Sequence, residues 1–168
     1  MHFPLHPETP TEGISLEDLF AGRDVDMDAM RARMKGLMAD EGLPYGERSH
    51  TYNSRLAQEL GKWADTEPGG GAIHDALFKA YFVDALNIGD PEVLVSIAES
   101  IGLSADKARD VLQNRSLGAA IDADWTKSRQ IGVTGVPTFV AGGYGVVGAQ
   151  SYETLCALLE RAGAPGAD

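Results

Sequence analysis

The chain has 168 residues, enough for one domain with its own hydrophobic core. Its formal net charge is −11 at pH 7, with 14 Lys and Arg against 25 Asp and Glu, which disfavours nucleic acid as a partner because nucleic acids bind basic surfaces. No apolar run approaches the roughly 20 residues that span a bilayer. The first residues do not form the basic region followed by an apolar region that a secretory signal has, so we expect a cytoplasmic protein. With one cysteine, the chain cannot form an internal disulfide.

The N-terminal part of the chain predicts a short strand, a loop and then a helix. His2 to His6 is an apolar segment, and Pro4 within it cannot donate a ladder hydrogen bond, so we expect the end of an edge strand. From Asp26 to Asp40 the apolar residues recur at spacings of three and four, which predicts an amphipathic helix packed on the core. Its apolar positions are Met27, Met30, Met34, Leu37 and Met38.

The middle of the chain predicts a block of further helices, because helical periodicity continues through residues 53–63, 73–86, 90–101 and 104–112. Asp90 followed by Pro91 is a favoured helix start. The carboxylate can cap free N–H groups, and the N–H that proline lacks has no intrahelical partner in the first turn. The glycines at 69–71 interrupt the block, and they lack the preceding strand and the lysine of a phosphate-binding loop.

The most informative motif is Gly135-Val136-Pro137, which follows a polar helix predicted over residues 117–130. A proline between a helix end and a strand offers no N–H to a ladder and suggests a cis bond. Residues 138–141 and 144–147 predict two strands joined by a tight glycine turn, and a last helix follows. Helices enclosed between a first strand and a final hairpin indicate an α/β fold with a helical insertion.

Several short motifs in this order resemble the DsbA-like thioredoxin-fold family, specifically its FrnE-like branch, which is related to 2-hydroxychromene-2-carboxylate isomerases and kappa-class glutathione transferases. The motifs are Phe3-Pro-Leu-His6-Pro7, Thr51-Tyr-Asn53-Ser54, Leu77-Phe-Lys-Ala80-Tyr81, Ile88-Gly-Asp90 and Gly132-Val-Thr-Gly135-Val136-Pro137-Thr-Phe139-Val140. The resemblance implies a thioredoxin-like α/β fold with an inserted all-helical domain. The implied domains are a remnant thioredoxin-core strand at 1–13, a helical insertion at 14–116, and the core helix, β-hairpin and C-terminal helix at 117–168.

The resemblance also implies a truncated N-terminus. Members of the family begin with a strand and a helix that carries Cys-x-x-Cys, and roughly 35 to 45 residues of this kind are missing before Met1. Thiol–disulfide exchange needs a low-pKa thiolate at a helix N-terminus and a second thiol nearby. Cys156 is the one cysteine and matches no catalytic motif of the family. We therefore expect an oxidoreductase-family chain without catalytic residues or cofactors, inactive in redox chemistry as it stands.

Substrate binding is the role that the resemblance implies for Gly135, Val136 and Pro137. The backbone of Val136 would pair with an extended peptide or hold a small thiol. Asn53 is a further candidate, because relatives among the isomerases and transferases have an asparagine near the active site. The residues themselves favour a plain helix cap for Asn53, because it follows Thr51 and directly precedes a predicted helix.

Two alternatives to a DsbA-like oxidoreductase stay open at this point. One is a glutathione-dependent isomerase or transferase, and the other is a peptide-binding module without thiol chemistry. The four histidines have no spacing that would form a metal site, so no metal is expected. A sheet that lacks its first strand would expose an edge, and we expect that copies can self-associate through it.

Overall fold

The computed structural model of the chain describes residues 1–164. Its backbone falls into two compact units. The larger unit is His6–Ile121, and the smaller one contains Met1–Leu5 together with the chain from Asp122 onward. The predicted domain boundaries at residues 13 and 116 stay a prediction.

The larger unit is mainly helical. Its elements in chain order are β1 (Ile14–Ser15), α1 (Leu16–Leu19), α2 (Met27–Asp40), β2 (His50–Thr51), α3 (Arg55–Ala64), a 3-10 turn (Gly70–Ala72), α4 (Ile73–Phe82), α5 (Pro91–Ser100) and α6 (Ala105–Asn114), and α7 (Gly118–Gln130) begins in it. The strands β1 and β2 pair in antiparallel fashion. Helices α3 to α6 enclose one hydrophobic core, in which Leu60, Ile73 and Leu94 are fully buried.

The start of α5 is where the sequence places it. The Asp90 carboxylate accepts hydrogen bonds from the N–H groups of Glu92 and Val93 at 2.8 and 3.4 Å, and Pro91 is the first helical residue. Two of the helix's free N–H groups are therefore satisfied locally, without any tertiary partner. The prediction from Asp90 and Pro91 is confirmed.

The strand predicted at His2–His6 is wrong. The first strand of the described chain is β1, and the N-terminal segment instead makes a turn in which the Leu5 N–H donates to the Phe3 carbonyl at 3.0 Å. His6 has φ +50°, a left-handed conformation that no regular strand contains. Pro4 within this segment and Pro7 directly after it have no N–H, so they lack the donors that a ladder would need.

Helix α2 forms over the predicted residues but does not pack on the core. The Asp26 side chain caps it by accepting from the Ala29 N–H at 2.9 Å, so its start is set locally. None of its residues is buried within the described chain, and Met34 and Leu37 are 42% and 47% exposed. The periodicity correctly predicted a helix, but burial needs a facing apolar surface, which periodicity does not report.

The smaller unit contains a hairpin and the last helix. Its elements after α7 are β3 (Thr138–Ala141), β4 (Tyr144–Val147) and α8 (Tyr152–Arg161). The strands are antiparallel, with Thr138 opposite Val147 and Ala141 opposite Tyr144. Gly142 and Gly143 have φ of +55° and +82°, the left-handed pair that a two-residue turn of this kind requires. The predicted hairpin is confirmed residue by residue.

Candidate functional site

The candidate site begins where α7 ends. Gly132 has φ +75°, and the Val133 N–H donates to the Ser128 carbonyl at 2.9 Å while the Gly132 N–H donates to the Arg129 carbonyl at 3.1 Å. This pair of bonds closes the helix at a left-handed glycine and satisfies two of its last carbonyl groups. The direction in which the chain enters the next loop is therefore fixed by the helix end itself.

The loop from Gly135 to Pro137 is tied to both strands of the hairpin. The Val136–Pro137 peptide bond is cis. The Pro137 carbonyl accepts from the Gly148 N–H at 2.8 Å, and the Thr138 hydroxyl donates to the Gly135 carbonyl at 2.6 Å. These two bonds hold Val136 between them with half of its surface exposed.

The backbone of Val136 is available to a ligand. Within residues 1–164, neither its N–H nor its C=O has a hydrogen-bond partner. A peptide group that is solvent-accessible and held in a fixed loop can pair with an extended chain at little ordering cost. Of the predicted site residues, Gly135, Val136 and Pro137 thus lie together in one ordered loop.

An apolar groove of about 240 Å³ lies beside this loop. Its lining residues are Met1, His2, Phe3, Ser128, Ile131, Val133, Val136, Thr138 and Val140. His2 is the one residue among them with a titratable side chain, although the chain as a whole carries a net charge of −11. Sequence reasoning singled out Val136 but missed Thr138 and Val140, whose alternation along β3 with Val136 was the available signal.

Asn53 belongs to the larger unit, where it has a structural role. Its side-chain N–H groups donate to the carbonyls of Pro7 and Thr9 at 2.9 and 3.0 Å, and its Oδ1 accepts from the Arg55 N–H at 2.9 Å. The amide thus anchors an N-terminal loop to the start of α3. Both donors and the acceptor of this side chain are in use, so the structure gives no support to Asn53 as a ligand-binding residue.

Cys156 lies half-buried on α8, one helical turn after Tyr152. A hydrogen bond between the Tyr152 and Cys156 side chains and the electrostatic interaction between them raise the pKa of Tyr152, a residue that is 78% exposed.

No group of three or more His, Cys, Asp or Glu side chains in the described part of the chain could hold a metal ion. None of the described helices is long and apolar enough to cross a membrane.

A buried charge cluster in the larger unit was not visible in the sequence. Glu59 on α3 is fully buried, and it accepts from Arg115 at 2.9 and 2.7 Å and from Arg55 at 2.7 Å. Arg55 also donates to the Gly118 carbonyl at 2.8 Å, so the cluster fixes α3 to the connection between α6 and α7. Burial opposes ionisation of Glu59, but the hydrogen bonds from Arg115 and Arg55 outweigh it and hold the pKa of Glu59 below its usual range.

The fold and the proline loop define a thioredoxin-like domain of the DsbA class. The sequence profile described as the DSBA-like thioredoxin domain matches residues 1–160, and the chain belongs to that family. A solved structure titled as a probable DsbA oxidoreductase from Streptomyces coelicolor is similar to it, with a TM-score of 0.82 and 30% identity over 98% of this chain and 75% of that one. No curated protein matches the chain. The predicted family and the thioredoxin-like fold with a helical insertion are confirmed.

Proposed function

We propose that this chain provides the substrate-facing part of a cytoplasmic thiol–disulfide oxidoreductase of the FrnE-like branch. In this proposal the loop at Gly135–Pro137 binds an extended peptide or a small thiol. The observation that carries it is the half-exposed Val136, whose backbone N–H and C=O have no partner within residues 1–164. Membership of the DsbA-like family supports the redox context of the site.

Peptide binding at this loop follows from backbone chemistry. An extended chain laid beside Val136 accepts from its N–H and donates to its C=O, which is strand addition over one residue. Each such bond contributes only about 1 kcal/mol net, so apolar contact along the adjacent groove has to supply most of the affinity. The mainly apolar lining of that groove suits an unfolded or extended polypeptide with exposed apolar side chains.

Redox chemistry is a separate matter in the proposal. Exchange of a protein disulfide needs an attacking thiolate and a second thiol that resolves the mixed disulfide. The 168 residues contain one cysteine, and it lies on α8 rather than at a helix N-terminus. We therefore propose that this polypeptide alone binds substrates without oxidising or reducing them.

An insulin-reduction assay tests the redox part of the proposal. With dithiothreitol as reductant, the chain should not raise the rate of insulin precipitation above that in buffer alone. A mixed disulfide on its one cysteine would have to be resolved by dithiothreitol, which already reduces insulin without the chain. A Cys156→Ser variant is the control and should behave identically. Turnover in the parent that disappears in the variant would contradict the proposal and assign Cys156 as a nucleophile.

Amide exchange followed by NMR tests the binding part. Reduced and alkylated insulin B chain, an unfolded polypeptide, should slow exchange of the Val136 amide by about tenfold or more at saturation. The Val133 amide, already bonded to the Ser128 carbonyl, is the internal control and should not change. Protection of Val136 by glutathione but not by the B chain would instead favour the glutathione-dependent isomerase or transferase. Absence of protection with both would refute ligand binding at this loop.

A further inference from the structure

We infer that Thr138 is a positioning residue for the proline loop, because its hydroxyl fixes the direction in which the Val136 N–H donates. This role rests on the proposed function for the ligand that accepts from the N–H, and it adds a residue that the proposed function does not use. Three features carry it: the atom to which the Thr138 hydroxyl donates, the geometry of the peptide group that contains this atom, and the rigidity of the strand that holds the hydroxyl.

The Thr138 hydroxyl donates to the Gly135 carbonyl, with 2.6 Å between the two oxygen atoms. This distance is at the short end of the range for a hydroxyl donating to an oxygen. The carbonyl belongs to the peptide group that joins Gly135 to Val136, and the same group contains the Val136 N–H. The side chain of Thr138 therefore acts on the very peptide group that a ligand would contact.

The geometry of this peptide group converts a contact at its oxygen into a direction for its N–H. In the described chain the cis peptide bond is the one before Pro137, so the bond between Gly135 and Val136 is trans. A trans peptide group is planar, and its C=O and N–H point in opposite directions. Because the hydroxyl holds the carbonyl on the side of Thr138, the Val136 N–H points away from that side chain, where no group of residues 1–164 accepts from it.

Within residues 1–164, no other hydrogen bond holds the peptide group between Gly135 and Val136. The bond from the Gly148 N–H reaches the Pro137 carbonyl, which lies two peptide groups farther along the chain. Gly135 has no Cβ to restrict rotation of the group that follows it. Even an added Cβ would meet only Val147, at 3.8 Å. Without the Thr138 hydroxyl, this peptide group would turn about its flanking bonds and the N–H would lose its direction.

The Thr138 hydroxyl is itself held in place. Thr138 is the first residue of β3, and it lies opposite Val147 in the hairpin. Threonine is branched at Cβ, which restricts its side-chain rotamers, and strand pairing fixes the backbone that carries it. The loop is thus ordered before a ligand binds, so the ligand does not have to supply the cost of ordering it. A hydrogen bond accepted by the carbonyl also polarises the amide and strengthens its N–H as a donor.

Replacement of Thr138 by valine tests this role, because valine keeps the branch at Cβ and removes the hydroxyl. The affinity for reduced and alkylated insulin B chain should fall about fivefold or more, as expected for one lost hydrogen bond. NMR relaxation of the Val136 amide nitrogen in the ligand-free chain is the second readout. Its order parameter should fall from about 0.85 toward about 0.6, or its resonance should broaden by exchange.

The fold should tolerate this substitution. Valine is a favoured strand residue, and the half-buried Gly135 carbonyl can be hydrated in the variant. The circular dichroism should therefore match that of the parent, with a melting midpoint within about 4 °C of the parent's.

Two further variants are the controls. Thr138→Ser keeps the hydroxyl, so it should retain the ordered Val136 amide and an affinity within about threefold of the parent's. Thr66→Val removes a bond of the same kind in the larger unit, where the Thr66 hydroxyl donates to the Trp63 carbonyl at 2.7 Å, also three residues earlier in the chain. It should leave the Val136 relaxation unchanged and the affinity within about twofold.

Each other outcome has a defined meaning. A Val136 amide that stays ordered in Thr138→Val overturns the inference, and any loss of affinity then reflects a direct contact between the hydroxyl and the ligand. A disordered amide with unchanged affinity overturns it too, because the direction of the N–H would not matter for binding. Equal loss of affinity in Thr138→Ser and Thr138→Val assigns the effect to the methyl group and overturns it as well.

Failure of the proposed function is distinguishable from failure of this inference. If insulin B chain does not bind the parent, ligand binding at the loop is refuted. Relaxation of the Val136 amide in the ligand-free chain still decides the role of Thr138, since lost order in Thr138→Val supports it and retained order overturns it. If the B chain binds the parent and Thr138→Val alike, the inference fails and the proposed function stands.

Discussion

Replacement of Glu59 by glutamine should lower the free energy of unfolding at pH 7 by about 3 kcal/mol. The glutamate is fully buried, and its two oxygens accept three hydrogen bonds from Arg55 and Arg115. A glutamine keeps the volume but removes the charge, and its amide N–H groups point at other donors. Urea unfolding followed by tryptophan fluorescence measures the loss, because one of the two tryptophans, Trp63, is buried on the same helix.

The pH dependence of the same variant has a defined sign. The pKa of Glu59 is lowered in the folded chain, so its contribution to stability is present above the unfolded pKa, about 4.3, and is lost as the pH falls through the folded value. The parent should therefore lose stability in acid more steeply than Glu59→Gln. Glu92→Gln is the control, since Glu92 pairs with Arg109 at 3.3 Å on the surface, and should cost less than about 1 kcal/mol. An equal loss of unfolding free energy in both variants would show that the buried contacts of Glu59 with Arg55 and Arg115 add no stability beyond that of a surface ion pair.

Gly70→Ala should destabilise the chain by about 2–3 kcal/mol, although the change adds one methyl group. A Cβ at Gly70 would collide with the backbone carbonyl of Ala64, at the end of α3, and backbone cannot move aside as a side chain can. Gly70 is also buried, so the methyl group has no route to solvent. Thermal and urea unfolding measure the effect.

The neighbouring glycines supply matched controls for Gly70→Ala. A Cβ at Gly71 meets no atom within 4 Å, so Gly71→Ala should change the stability by less than about 0.5 kcal/mol or raise it slightly. Gly69 also has open space but φ +76°, so Gly69→Ala should cost about 1 kcal/mol through the backbone alone. A Gly70→Ala variant as stable as Gly71→Ala would refute the close approach to Ala64.

The parts of the fold that the sequence predicted well are those with local causes. Asp90 and Pro91 start α5 through bonds within one turn of helix, and Gly142 and Gly143 make a turn that only left-handed residues form. The loop at Gly135–Pro137 was predicted for the same reason. A glycine that ends α7 precedes it, and strand β3 follows it. Such features depend on a few adjacent residues, which sequence reasoning can read directly.

The parts that it missed depend on residues far apart in the chain. Glu59 and Arg115 are separated by 56 positions, and nothing in either neighbourhood indicates that they meet. Asn53 looked like a helix cap or a ligand-binding residue, and the contacts to Pro7 and Thr9 that define its structural role cross more than 40 residues.

Helix α2 affects how unfolding of this protein should be measured. A 14-residue helix with no buried residue is held together by its own backbone bonds and its Asp26 cap, and isolated helices of that length are marginal in water. Its melting should therefore be gradual and uncoupled from the cooperative loss of the core. Far-UV circular dichroism would record a sloping pre-transition. Fluorescence from Trp63 and Trp125, neither of which lies in α2, would not record it, and enthalpies fitted to the dichroism under a two-state assumption would be too small.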